Sequence, residues 1–85
     1  METKTLAKNL VGEVEYDGRR EVRVFDETFK GAVLNALQEE AYEPSDEELE
    51  DLVETTRDEF MVMAENRGWR IESICDGLLV IKRRG

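Results

Sequence analysis

The chain has 85 residues, with 21 acidic and 12 basic side chains, no histidine and a single cysteine, for a formal charge of −9. That length implies one domain with a small core and little room for a deep substrate cleft. The composition excludes Ser-His and Cys-His nucleophilic catalysis, most zinc sites and an intrachain disulfide.

Several other classes fall away. The six glycines are scattered and form neither a P-loop nor a dinucleotide fingerprint. The acidic run around residues 46–51 lacks the central glycine of an EF-hand. Carboxylates are plentiful, but a row of solvated ones does not separate pKa values as acid–base catalysis requires. Neither an enzymatic activity nor a cofactor is expected. The N-terminal METKTLAKNL has no apolar signal core, and runs such as Phe60–Ala64 are too short to span a bilayer. With the lone cysteine, this places the chain in the cytoplasm. A net negative charge disfavours direct binding to nucleic acid or anionic lipid and favours basic protein surfaces. A salt-adapted composition is the bland alternative.

Along the chain, residues 1–9 are polar and read as a flexible arm ahead of a domain at 10–85. Leu10–Tyr16 alternates, with Leu10, Val14 and Tyr16 on one face, which predicts a half-buried strand. Asp17-Gly18 is a hairpin signal, and Arg20–Phe25 resumes as a strand with Val22 and Val24 inward. A three-residue loop would set Val14 opposite Val22 and Glu13 opposite Arg23. Asp26 is a candidate cap for a first helix running to about Ala41, with Phe29, Ala32, Val33, Ala36 and Leu37 at helical spacing. Ser45 and Glu48 form a capping box for a second helix over roughly 46–67, ended by Gly68. Its apolar stripe is Leu49, Leu52, Val53, Thr56, Phe60, Met63 and Ala64. A final hairpin, 69–75 and 78–83, turns at Asp76-Gly77. The expectation is an α+β fold in ββααββ order: a four-stranded, mainly antiparallel sheet with two helices on one face.

Charge is distributed unevenly. Residues 39–65 hold twelve acidic side chains and one basic one, a local −11, against −1 for residues 1–38 and +3 for residues 66–85. On the second helix Glu47, Glu50, Glu54 and Asp58 fall on one face. Asp51 and Glu59 lie beside it, and Glu43 stands at its foot. Like charges at i,i+4 cost about 0.2–0.5 kcal/mol per pair, so this stripe is a stability penalty with no local reward. Each stripe carries a charge about every 5–6 Å, from the 1.5 Å rise per residue. Two such stripes come within about a factor of two of the phosphate density of duplex DNA. The leading expectation is a partner-binding face for a basic protein, such as a nucleic-acid-binding protein that the acidic helix blocks by mimicry. A solvated face serving solubility is the plain alternative.

Two further surfaces stand out. Met61, Val62, Trp69, Ile74, Leu79 and Ile81 give a hairpin and helix apolar on both sides, which suggests a self-association interface and a homodimer. Core packing is the competing reading for Trp69, as it is for Met61 and Val62. Cys75 reads as a small apolar residue of the hairpin. Arg19, Arg20 and Arg23, with Lys82, Arg83 and Arg84, would form a basic patch if both hairpins shared a sheet. That patch is a third reading, a small RNA-binding domain, and few strand aromatics support it.

Overall fold

The computed structural model describes residues 1–75 and 77–83. The element order is α1 (Thr3–Asp17), β1 (Glu21–Phe25), α2 (Asp26–Glu39), α3 (Asp46–Asn66), β2 (Arg70–Cys75) and β3 (Leu78–Lys82). The fold is α+β, but it has three helices and a three-stranded antiparallel sheet in the order β1-β3-β2. The expected four-stranded sheet with two helices is incorrect.

The error lies in the first seventeen residues. Ala7, Leu10, Val11 and Val14 recur at i, i+3, i+4 and i+7, and all four are buried. Alternation put Tyr16 inward, whereas it is 94% exposed. Residues 3–9, read as a polar arm, are the first two turns of this helix. Gly18 has φ 77°, the left-handed conformation expected of a hairpin glycine, but here it caps a helix. The strand at 20–25 therefore loses its predicted partner. β1 pairs instead with β3, setting Val22 opposite Ile81 and Arg23 opposite Val80.

The ladder runs straight into α2, since the Asp26 N–H donates to the Gly77 carbonyl at 2.8 Å. Asp26 is the first helical residue rather than a side-chain cap. α2 and α3 end in the same way. Tyr42 and Ala41 donate to Leu37 and Gln38, and Trp69 and Gly68 donate to Ala64 and Glu65. Both are Schellman closures, which need a left-handed residue. Gly68 supplies it after α3 at φ 81°, but after α2 the position is Ala41, at φ 54°.

Thr3 reaches Glu59 and Glu15 reaches Arg67, so α1 and α3 run parallel. Asp26 reaches Arg57 and Tyr42 reaches Glu48, so α2 runs antiparallel to α3. The helices cover the sheet face that carries Val24, Leu79 and Ile81. Phe29 and Phe60 meet edge to face at 5.3 Å in the centre of that core. Leu79, Val80 and Ile81 are all buried, because β3 is the central strand. Ile71 stands opposite Ile81, and a register shift between Ser73 and Cys75 leaves Ile74 and Cys75 exposed. Cys75 therefore does not pack as an interior apolar residue. Asp76, half of the expected hairpin turn, and Arg84 lie outside the described residues. No described helix is long and apolar enough to cross a membrane.

Candidate protein-binding face on α3

α3 begins where the sequence demands it. The Ser45 hydroxyl accepts from the Glu48 N–H at 3.2 Å, and the Ser45 carbonyl accepts from the Leu49 N–H at 2.9 Å. The reciprocal half of the capping box is not made. Glu48 instead accepts a hydrogen bond from the Tyr42 hydroxyl at 2.6 Å. That bond to a carboxylate holds the Tyr42 phenol above its ordinary value of 10.0.

Burial of Thr56, Phe60 and Ala64 on the opposite side fixes the rotation of the helix. Glu47, Glu50, Asp51, Glu54 and Asp58 are then exposed, with Glu43 exposed in the preceding loop. Among the described residues none of these six makes an ion pair or a side-chain hydrogen bond. Asp46, Glu47 and Glu48 sit in the first turn, where the helix dipole favours negative charge. Glu50, Asp51, Glu54 and Asp58 lie beyond that benefit. Glu59 departs from the face. It is half-buried against α1 and accepts from the Thr3 hydroxyl, and its second oxygen is buried without a partner.

The stripe borders a groove that sequence reasoning missed. A space of about 580 Å³ opens between α3 and the start of α2, bordered by Glu50, Glu54 and Asp46 on one side and by Asp26, Glu27 and Lys30 on the other. Leu49 and Val53 form its apolar floor, and Arg57 closes one end by pairing with Asp26 at 3.3 Å. Arg57 is the one basic residue within 39–65, and that isolation was the available signal for a specific internal partner.

The apolar residues singled out from the sequence do not form one surface. Leu79 and Ile81 are interior. Met61 and Trp69 are half-buried against the core, while Val62 and Ile74 are exposed on different elements.

Of the predicted basic residues, Arg19, Arg20 and Arg83 meet at one end of the molecule, although the first hairpin does not exist, whereas Arg23 lies in the middle of β1. The Arg83 N–H donates to the Arg20 carbonyl at 2.7 Å, and the Arg83 guanidinium donates to the Val14 carbonyl at 2.9 Å and the Arg19 carbonyl at 3.4 Å. Most of this charge is internally engaged. Arg19 pairs with Asp17 at 2.6 Å and holds that carboxyl below its ordinary 3.8. Lys82 pairs with Glu72 at 3.2 Å. Arg67, which the sequence reading missed, pairs with Glu15. Arg67 and Arg83 both lie over the Trp69 ring, at 5.7 and 5.3 Å from its centroid. Arg20, Arg23 and Arg70 are exposed. Among the described residues, no three histidine, cysteine or acidic side chains are grouped to hold a metal ion. The chain matches no protein-family model, no curated protein and no solved structure.

Proposed function

We propose that this chain is a non-catalytic binding protein that engages a basic protein surface through the acidic face of α3. The reading rests on one observation: Glu47, Glu50, Asp51, Glu54 and Asp58 form an exposed row that, among the described residues, has no intramolecular counterion. Such a row weakens its own helix and strengthens when a cationic surface covers it. The groove beside it extends the acidic area to Asp46 and Glu27 and offers Leu49 and Val53 to an apolar group of the partner. In the strongest form of the proposal, the partner is a nucleic-acid-binding protein, such as a nuclease or a defence complex, and the helix occupies its phosphate-binding groove.

The test is a pull-down with the wild-type chain and with Glu47→Lys/Glu50→Lys/Glu54→Lys, at about 0.05 M and about 0.5 M salt, where screening lengths differ roughly threefold. The expected result is a nucleic-acid-binding protein retained by the wild type at low salt and lost with the triple variant. A partner that stays bound to a folded triple variant overturns the proposal.

A further inference from the structure

β1 is an edge of the sheet, and it has the features of a strand that pairs with a copy of itself. The Asp26 N–H to Gly77 and Arg83 N–H to Arg20 hydrogen bonds bracket its ladder with β3. Antiparallel alternation then directs the peptide groups of Val22 and Val24 toward β3, and those of Glu21, Arg23 and Phe25 outward. Among the described residues nothing receives these outward groups. α1 does not cover the edge, since a cleft of about 170 Å³ opens between its Leu10, Glu13 and Val14 and the strand.

We infer that two copies of the chain pair antiparallel through β1, with the two-fold axis passing between the two Val22 residues. In an isologous contact the same residues meet reciprocally. Only an even register sum joins the outward groups of one copy to those of the other. Centring on Val22 sets Glu21 opposite Arg23 of the second copy, twice by symmetry. Glu21 and Arg23 are both exposed and, among the described residues, neither has an ion-pair partner within its own chain. The neighbouring registers are penalised: centring on Arg23 opposes two arginines, and centring on Glu21 opposes two glutamates. Val22 meets Val22 on the cleft side, adding apolar contact where the strand is half-buried. The result is a continuous six-stranded sheet.

The other edge lacks this fit. β2 has a register shift between Ser73 and Cys75, which distorts an edge against pairing, and its Glu72 is already held by Lys82.

The inference does not depend on the acidic face. Sedimentation equilibrium from micromolar to near-millimolar concentration tests it, using the wild type, Glu21→Arg, Arg23→Glu and the double exchange. The wild type is expected to show a monomer–dimer equilibrium, and each single reversal to weaken dimerisation by about tenfold or more, from two reversed cross-strand pairs. The double exchange, which rebuilds both pairs with opposite polarity, is expected to restore it. Circular dichroism confirms that all four chains fold. A wild type that stays monomeric, a dimer indifferent to the single reversals, or a double exchange that fails to recover overturns the inference. Glu47→Lys/Glu50→Lys/Glu54→Lys is expected to leave the dimer intact, which separates this interface from the one on α3.

Discussion

The two ends of α3 treat charge in opposite ways. At its N-terminal end, Glu43, Glu47, Glu50 and Asp51 face solvent and, among the described residues, have no partner, while a nearby ion pair joins the Met1 ammonium to Glu40 at 2.6 Å. At its C-terminal end, Arg67, Arg19 and Arg83 are tied to Glu15, to Asp17 and to the carbonyls of Val14 and Arg19. The basic end uses its charges to join α1, β1, β3 and the end of α3. At the acidic end the joins fall to Glu40 with Met1 and to Glu48 with Tyr42, and among the described residues the exposed row itself makes none. Similar counts of charged residues therefore carry different information: an engaged arginine reports on the fold, and an unengaged glutamate row reports on solvent or on a partner.

The comparison can be broken at the basic end first. Arg83→Ala is expected to cost about 2 kcal/mol, because it removes two charge-assisted hydrogen bonds to carbonyls and a cation over Trp69. Urea denaturation checks this, and a loss within a few tenths of a kcal/mol would make Arg83 as dispensable as the acidic residues. The acidic end can be sharpened in the opposite direction. Ala41→Gly relieves a left-handed alanine in the closure of α2 and is expected to stabilise the chain by about 1 kcal/mol. In thermal unfolding that is a rise of roughly 4–8 °C for a domain of this size. The same exchange in reverse, Gly68→Ala after α3, is expected to lower the midpoint.

Smallest in effect, pH separates the two ends at opposite limits. The Asp17 carboxyl is depressed by Arg19, so its contribution is present above the ordinary value of 3.8 and is lost as pH falls through the lower folded value. The Tyr42 phenol is raised by Glu48, so its contribution is present below 10.0 and is lost as pH climbs through the higher folded value. Ultraviolet titration of the phenolate is expected to place Tyr42 above 10.0 in the wild type and nearer to it in Glu48→Ala.

Much of the middle of the chain was legible from its residues. Ser45, Gly68 and the spacing of Phe29, Val33, Phe60 and Ala64 define α2 and α3 because each rule agrees with its neighbours there. The N-terminal element was not, because Leu10 and Val14 fit both a period of two and a period of 3.6 residues. Ala7 and Val11 decide between them, and both are small enough to be overlooked as core residues. That one misreading spread outward. Without α1, nothing could indicate that Glu59 turns inward to Thr3, or that Arg67 has Glu15 as a partner. The exposed part of the acidic row was legible because it depends on α3 alone.

The order β1-β3-β2 also sets a schedule for folding. Val22 and Val24 emerge from synthesis well before their partners Ile81 and Leu79, which lie more than fifty residues later in the chain. At roughly 5–20 residues per second, β1 waits several seconds with both edges unsatisfied. Meanwhile α1, α2 and α3 are already made and can pack on one another, α1 on α3 across separations of 52 and 56 residues, so the sheet closes after the helices. A chain stalled or cleaved before Leu78 would hold three helices and an open strand, the form most exposed to mispairing and to cellular proteolysis.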